Sequence, residues 1–268
     1  MALLSINELT TYRWSFEQDV ARYKAAGIPA MGVWRQKLAD FGEEKGAELL
    51  ADEGLKASSL LWAGGFTGSD GRSHRDSIDD ASEALRSAAT LGAETLVVYS
   101  GARGGHTHNH ARRLVTGALK ELAPLAEEQN ITLAIEPMHE GCADEWTFLT
   151  NVEEVLALIE TIDSPRVKLV LDTYHLGQRD GFVEQIGELV PHVAIVHLGD
   201  AKQPPKQEQN RCRLGEGTVP LGPIIAALTE AGYTGYYDIE LLGEEIEASD
   251  YDELLAHARQ TFEQLTAS

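Results

Sequence analysis

Four side chains that can bind a metal ion each follow a short apolar run in the second half of the chain. They are Glu136 after LAI, Asp172 after LVL, His197 after AIV and Glu240 after YDI. Three carboxylates brought together would repel one another and could not all stay ionised, and a divalent cation would remove that repulsion. Three oxygen donors and one imidazole suit Mn2+, Mg2+, Co2+ or Zn2+, with positions left for water or substrate. The four residues are therefore predicted to bind one divalent metal ion.

Each of these residues, taken alone, has a plainer explanation. A single acidic residue at the end of a strand is usually a helix N-cap or one half of an ion pair. A single histidine after an apolar run is more often a core residue with its hydrogen bonds satisfied. All four lie at the C-terminal ends of their apolar runs, and the opposite ends carry no comparable set. This common placement favours the metal site.

A shared site requires a fold that brings four strand ends together. Short apolar runs alternate with amphipathic helical segments along the whole chain, and the predicted strands are residues 2–6, 30–34, 56–61, 94–99, 131–136, 167–172, 193–197 and 235–240. This alternation predicts parallel strands with helical crossovers. Eight such units in 268 residues favour an α/β fold, a closed (β/α)8 TIM barrel that forms one domain over residues 1–268. The last four strands would then supply the four ligands at the face where barrel active sites lie.

An open, doubly wound sheet is the alternative architecture. It would usually carry a glycine-rich phosphate loop after its first strand, and INELTTYRW contains none. Helical periodicity is clearest in SIDDASEALRSAATLGA, with Ser77 as its predicted N-cap, in NVEEVLALIETI and in DYDELLAHARQTFEQL.

The composition limits the partners and the setting. A net charge of −21 disfavours binding to nucleic acid or to an anionic membrane surface. No run approaches the roughly 18 uncharged apolar residues of a membrane span, and MALLSINELTTY lacks the features of a signal peptide. The two cysteines, Cys142 and Cys212, lie in polar, loop-like sequence and form no metal or redox motif. We expect a reducing, cytoplasmic setting.

Five segments in order carry a resemblance to a known family: AIEPMH, LVLDTYH, VHLGD, RLGEGTVPL and YYDIEL. Together they resemble the xylose isomerase-like TIM-barrel superfamily, the sugar phosphate isomerase/epimerase group that includes relatives of tagatose 3-epimerase, hydroxypyruvate isomerase and inosose dehydratase. The resemblance is strongest from Thr95 to Leu242. It makes Glu136, Asp172, His197 and Glu240 the metal ligands. It also implies that His175, in the Asp-x-x-His pattern, contacts a substrate oxygen or else supports Asp172.

The resemblance also implies a reaction type. In such enzymes the metal ion holds two neighbouring substrate oxygens and stabilises an enediolate, while Glu136 and Glu240 act as the acid/base pair. The expected function is isomerisation or epimerisation of a small-molecule carbohydrate, an unphosphorylated keto-sugar or keto-polyol. The alternative is a dehydratase or β-eliminating lyase acting on a keto-sugar or keto-inositol, and a non-catalytic sugar-binding barrel is the alternative of another class. The acidic segment LLGEEIEASD lacks a glycine-rich anion nest, which disfavours a phosphorylated substrate.

Further substrate contacts are expected around the metal ligands. Tagatose-type epimerases supply an arginine from a Gly-Glu-x-Asn-Arg pattern soon after the metal histidine, whereas LGDAKQPPKQEQNRCRLGEG follows here. Either Arg211 or Arg213 in this longer loop could reach the site, and Arg213 is the expected contact. Trp62, at the end of the third strand, is expected to pack against a sugar ring, and His139 to reach the substrate or the ligands.

Two features of the sequence stay open. The histidines of GARGGHTHNHAR, residues 101–112, could cap the site or belong to a solvated loop. A DNA-repair enzyme of the endonuclease IV type would need further histidines near strands three and four, where this chain has Trp62 and Tyr99. A homo-oligomer is possible, because dimers and tetramers are common in the family that the chain resembles.

Overall fold

A parallel barrel forms the centre of the molecule. The computed structural model describes residues 2–143, 145–207 and 209–267. The strands are β1 (Leu3–Asn7), β2 (Ala30–Trp34), β3 (Lys56–Gly64), β4 (Thr95–Tyr99), β5 (Thr132–Ile135), β6 (Val167–Asp172), β7 (Val193–Leu198), β8 (Asp200–Ala201), β9 (Arg211–Cys212) and β10 (Tyr236–Ile239). All except β8 and β9 close into one barrel in the order β1-β10-β7-β6-β5-β4-β3-β2. The predicted (β/α)8 architecture is confirmed.

Helices follow the barrel strands and cover the outside of the barrel. They are α1 (Phe16–Ala25), α2 (Arg35–Phe41), α3 (Glu43–Glu53), α4 (His74–Leu91), α5 (His108–Gln129), α6 (Val152–Ile162), α7 (Thr173–Leu176), α8 (Phe182–Leu189), α9 (Leu221–Glu230), α10 (Glu244–Glu247) and α11 (Tyr251–Thr266). A 3-10 turn (Val190–His192) leads into β7. Among these described helices, none combines the length and the apolar character that a membrane span requires.

The predicted strands are all present, and two local predictions need correction. The strand β3 continues to Gly64, three residues beyond its predicted end. The helix α4 begins before the predicted cap, because Ser73 and Asp76 form a reciprocal capping box in which each side chain accepts the backbone N–H of the other residue. Ser77 is therefore a buried residue inside α4, and its hydroxyl donates to the carbonyl of Gly65.

The two cysteines also differ from expectation. Both are free and buried, and Cys212 lies in β9 rather than in an exposed loop. This short strand pairs antiparallel with β8, so that a hairpin extends from the C-terminal end of β7. The hairpin brings the segment after β7 back over the mouth of the barrel.

Strand alternation places an apolar layer directly beneath the predicted ligands. Because side chains at positions i and i+2 of a strand share one face, Ala134, Val170 and Ile195 lie beneath Glu136, Asp172 and His197. These three apolar residues belong to one buried cluster inside the barrel. The same rule places Asp238 beneath Glu240, and this side chain is also fully buried.

Candidate metal centre

Four potential ligands meet at the C-terminal end of the barrel. Glu136, Asp172, His197 and Glu240 each offer one ligand atom, and these atoms all lie within 4.8 Å of one another. All four side chains are buried. Within the described ranges of the chain, this is the one group of three or more His, Cys, Asp or Glu side chains with such geometry.

Strand pairing explains why these residues converge. Asp172 is the last residue of β6 and is paired in register with His197 of β7. Glu136 directly follows β5, and Glu240 directly follows β10. The strands β5, β6, β7 and β10 are consecutive neighbours in the barrel. Four residues that are far apart in sequence therefore occupy one wall at one height.

The imidazole of His197 fits the role of a ligand. Its Nδ1 lies 2.8 Å from Oε2 of Glu240 and 3.4 Å from Oε1 of Glu136. The opposite nitrogen, Nε2, is buried and has no hydrogen-bond partner among the described residues. An imidazole nitrogen that faces two carboxylate oxygens at such short distances is placed as a donor in a shared cation site would be. The donor set of three carboxylates and one imidazole also suits a divalent ion.

The three carboxylates do not share one electrostatic environment. Burial raises the pKa of Glu136 to about 7. Burial also opposes ionisation of Asp172, but the positive charge of Arg211 outweighs it and lowers the pKa of Asp172 to about 2. At Glu240 the same guanidinium overcomes burial and lowers the pKa. Glu136 is thus the carboxylate of this group that holds a proton most readily.

Arg211 is a buried cation within the site. Its Nη2 lies 2.9 Å from Oδ2 of Asp172 and 3.4 Å from Oε1 of Glu240, and its Nη1 donates to the carbonyl oxygen of Glu240 at 3.1 Å. The guanidinium carbon lies 4.3 Å from the centre of the Tyr174 ring. Burial of a charge is tolerated here because the guanidinium is paired on several sides.

Asp200 holds the backbone of the segment that follows the hairpin. Its carboxylate accepts hydrogen bonds from the backbone N–H groups of Ala201, Gly215, Gly217 and Val219 at 2.8–3.2 Å. The neighbouring pairing of Ala201 with Arg211 fixes the register of the hairpin. A conformation set by these contacts places the Arg211 side chain over the ligands.

A cavity of about 690 Å3 opens at the candidate metal centre, and Glu136 and Glu240 of the ligand group line it. Trp62 and Trp146 line one side, with their ring centres 5.1 Å apart. The acidic side chains of its lining outside the ligand group are Glu244, Glu245 and Glu247. Lys206 and Arg211 are the lysine and arginine side chains among its described lining residues. The cavity therefore combines an aromatic wall with an acidic mouth.

Of the four predicted substrate contacts, His175 and Trp62 line the cavity, whereas Arg213 and His139 are not among its described lining residues. His175 is buried and lines the cavity, as Trp62 does. Burial lowers the pKa of His175 to about 4, and its Nδ1 lies 3.4 Å from the sulfur of Cys142. Arg213 is partly exposed, and the described lining of the cavity includes Arg211 instead.

His139 and two histidines of the segment 101–112 make contacts outside the ligand group. His139 is half-buried, and its Nδ1 accepts the backbone N–H of Gly141. Nε2 of His106 forms a hydrogen bond with the carbonyl oxygen of Thr67 at 3.1 Å. His108 lies 2.8 Å from Glu154. In the segment 101–112, His106 and His108 therefore connect the loop to Thr67 and Glu154.

Sequence reasoning missed three residues of the site. Trp146 reaches the cavity from the connection between β5 and α6, where the sequence has no regular period. Asn7, the last residue of β1, donates to Oδ2 of Asp238 at 2.9 Å, and its Nδ2 lies 3.5 Å from Oε2 of Glu240. For Asn7 and Asp238 a signal was available, because both lie at or near strand ends on the face that carries the ligands.

Comparisons with known proteins agree with this architecture. The family model described as Xylose isomerase-like TIM barrel matches residues 20–261. An inosose isomerase of Bacillus velezensis is 22% identical over 272 residues, which cover 97% of this chain and 95% of that protein. A crystal structure of IolI protein with a binding zinc atom has a TM-score of 0.86 at 20% identity and covers 98% of both chains, a likeness that shows the fold.

Other curated relatives match over a shorter range. A D-psicose 3-epimerase of Enterocloster bolteae is 30% identical over 118 residues, 44% of this chain, and the match spans 36% of that protein. A probable endonuclease 4 of Mesomycoplasma hyopneumoniae is 25% identical over 166 residues, 55% of this chain and 58% of that protein. The matched region is thus between about a third and three fifths of the length of these two relatives.

Proposed function

Since the chain belongs to the xylose isomerase-like TIM barrel family, we propose that it is a divalent-metal-dependent isomerase or epimerase of an unphosphorylated keto-sugar or keto-polyol. The observation that carries the proposal is the buried group of Glu136, Asp172, His197 and Glu240, two of which, Glu136 and Glu240, line a cavity of about 690 Å3. Relatives named as a psicose 3-epimerase and an inosose isomerase support the choice of reaction.

The four grouped side chains would hold the ion. A divalent ion bound there would polarise a substrate carbonyl and make the neighbouring C–H group more acidic. Mn2+, Mg2+, Co2+ and Zn2+ all suit this donor set, and the zinc of the IolI structure is a precedent for one of them. The protein side chains would then move a proton and orient the substrate.

Glu136 and Glu240 are the proposed acid/base pair. Both side chains line the cavity in which a substrate would lie, so either carboxylate could exchange a proton with a bound sugar. In the metal-free protein, burial raises the pKa of Glu136 to about 7, whereas Arg211 outweighs burial and lowers the pKa of Glu240, so the two carboxylates differ in their tendency to hold a proton. Delivery of the proton to the opposite face of the same carbon gives epimerisation, and delivery to the neighbouring carbon gives isomerisation.

The remaining lining would orient a neutral carbohydrate. His175 keeps a neutral imidazole because burial lowers its pKa, and a neutral ring can exchange hydrogen bonds with a hydroxyl group. The faces of Trp62 and Trp146 offer an apolar surface for the C–H groups of a sugar. Arg211 is a further candidate contact at the ligand group, in place of Arg213.

The charges at the cavity mouth support an unphosphorylated substrate. A phosphate group entering the cavity would meet Glu244 and Glu247, and also Glu245, which is ion-paired with Lys202 at 2.9 Å. Of the two permanent cations in the described lining, Arg211 is already paired with carboxylates, which leaves Lys206. Repulsion between a phosphate dianion and the acidic mouth would oppose binding.

The test is proton exchange in D2O. The metal-loaded protein is incubated with ketoses, aldoses and keto-inositols, each ketose also as its phosphate ester, and the carbon-bound protons are followed by NMR. We expect deuterium to enter next to the carbonyl of a neutral substrate. Glu136→Gln and Glu240→Gln should lose this exchange, and Glu244→Gln at the cavity mouth is the matched control that should retain it.

The products and the metal content make the result specific. A new stereocentre identifies an epimerase, a shifted carbonyl an isomerase, and loss of water a dehydratase. Metal content is measured in every variant, so that loss of the ion is separated from loss of an acid/base group. Tight metal binding without exchange in any substrate would overturn the proposed reaction and favour a binding protein.

A further inference from the structure

Three of the four positions directly beneath the proposed metal ligands are apolar, and the fourth is an aspartate. Alternation along the strands puts Ala134, Val170 and Ile195 under three of the ligands. Asp238 occupies the corresponding place under Glu240 and is 0% exposed. A carboxylate buried in such a layer is costly unless it serves a partner. The acid/base chemistry proposed above does not use this residue.

The surroundings hold the Asp238 carboxylate in a defined place. Its Oδ2 accepts a hydrogen bond from Nδ2 of Asn7 at 2.9 Å. A Cβ atom on residue 32 would lie 2.3 Å from the same oxygen, so Gly32 leaves the space that the carboxylate fills. The other oxygen, Oδ1, is buried and has no hydrogen-bond partner among the described residues. The carboxylate therefore has spare capacity to accept a hydrogen bond.

His197 presents the matching donor. Asp238 and His197 are paired in register on neighbouring strands, and Nε2 of His197 lies 4.0 Å from Oδ2 of Asp238. A shift of about 1 Å would bring the two atoms within hydrogen-bond distance. The opposite ring nitrogen, Nδ1, faces Glu136 and Glu240. When Nδ1 provides its lone pair, the proton of the neutral ring must be on Nε2.

We propose that Asp238 is a positioning residue that accepts the Nε2–H of His197 and thereby keeps Nδ1 unprotonated and directed at a divalent ion. Histidine ligands commonly donate their second ring N–H to a carboxylate, which fixes the tautomer and the ring orientation. Asn7 holds Asp238 from the other side and also approaches Glu240, so one amide side chain connects the two carboxylates. The inference rests on the proposed metal site.

The test measures metal affinity rather than activity. The affinities of wild type, Asp238→Asn and Asp238→Ala for Mn2+ and Zn2+ are measured by competition with a chelating dye. Loss of a carboxylate in this role lowers metal affinity by about 10- to 100-fold, and we expect a loss in that range for both variants. Ser77→Ala is the control, because Ser77 is also fully buried and its hydroxyl donates to the carbonyl of Gly65 rather than to any residue around His197.

Two further readouts separate positioning from support of the fold. The metal-free Asp238→Asn protein should be at least as stable to urea as wild type, because a buried carboxylate with an unpartnered oxygen has been neutralised. In the zinc-loaded wild type labelled with 15N-histidine, NMR should show one ring protonated at Nε2 and free of a proton at Nδ1, and this pattern should change in Asp238→Asn.

The outcomes distinguish the two proposals. If wild type binds no divalent ion, both the metal site and the role of Asp238 are overturned. If wild type binds the ion and Asp238→Asn binds it equally well, only the role of Asp238 is overturned. A parallel loss of metal-free stability and of affinity would also overturn it, because that result indicates a structural role.

Discussion

The guanidinium of Arg211 donates to the carboxylate of Asp172 at 2.9 Å, so that a permanent cation lies against one of the proposed metal ligands. Both side chains are buried, and the same guanidinium nitrogen lies 3.4 Å from Glu240. The negative charge of the ligand group is therefore partly balanced by the protein itself. A divalent ion would neutralise the remaining negative charge, and the ion and Arg211 would then both contact Asp172 and Glu240.

Arg211→Met should destabilise the metal-free protein. Removal of one partner from a buried ion pair leaves an uncompensated charge and costs about 3–5 kcal/mol. We expect a loss of this size in the free energy of unfolding measured with urea, partly recovered when Mn2+ is added. Arg213→Met is the control, because the partly exposed Arg213 should contribute within about 0.5 kcal/mol. An equal loss of unfolding free energy in the two variants would contradict the assignment of Arg211 as the cation that balances the buried carboxylates.

A divalent ion should stabilise the folded protein. Binding to the native state alone adds about 2.7 kcal/mol at a free ion concentration of 100 times Kd. We expect Mn2+ or Zn2+ to raise the melting temperature, and a chelator to reverse the shift. Asp172→Asn should lose the response, and Asp70→Asn, which changes a half-exposed carboxylate paired with Arg72, should keep it. A shift that survives in Asp172→Asn would place the ion elsewhere.

Trp146→Ala should weaken substrate binding. Trp146 packs against Trp62 in the cavity wall and is 38% exposed, so its ring surface is accessible to a sugar. Aromatic contacts contribute about 0.5–1.5 kcal/mol, which corresponds to an increase in KM of up to about tenfold. Tyr12→Ala is the control, because Tyr12 is an exposed aromatic residue that stacks on Trp34. A fall in kcat with unchanged KM would contradict a binding role.

Glu8→Gln should stabilise the protein at alkaline pH. Burial raises the pKa of Glu8 well above its ordinary value, and the nearby charge of Asp19 adds to the effect. A carboxyl group whose folded-state pKa is raised contributes stability that is fully present below its unfolded-state pKa and is lost as pH rises through the folded-state pKa. The variant avoids this loss because its amide does not ionise.

The measurement compares urea unfolding at pH 5 and pH 8. We expect Glu8→Gln to gain stability relative to wild type at pH 8 and to lose most of that advantage at pH 5. Glu17→Gln, which changes an exposed carboxylate at the start of α1, should show no such difference. An equal advantage at both pH values would mean that ionisation of Glu8 is not the cause.

Several features of the fold could be predicted from local patterns. Short apolar runs alternating with amphipathic helical segments predicted eight strands and the parallel barrel, because a strand covered by helices is buried on both faces and a covering helix on one. Asp172 ends a strand in sequence and in structure alike. Glu136 and Glu240 directly follow their strands. The chain order of these ends was enough to predict that they meet.

The cap of α4 shows where such patterns fall short. Serine is a favourable N-cap residue, and both Ser73 and Ser77 lie shortly before Ile78, the first apolar residue of the helical pattern. The choice depends on Asp76, whose carboxylate closes the capping box with Ser73. It also depends on Gly65, whose carbonyl accepts the hydroxyl of Ser77 from outside the helix.

By itself, the sequence predicted the barrel and the four candidate ligands, because the apolar runs, the helical periodicity and the order of the strand ends can all be read along the chain. The tertiary structure decided which side chains surround them. Arg211 rather than Arg213 reaches the site because Ala201 fixes the hairpin register. Trp146 reaches the cavity because Gly101 donates to its carbonyl from another loop. Both choices depend on hydrogen bonds made by irregular connecting segments, and such contacts leave no periodic signal in the sequence.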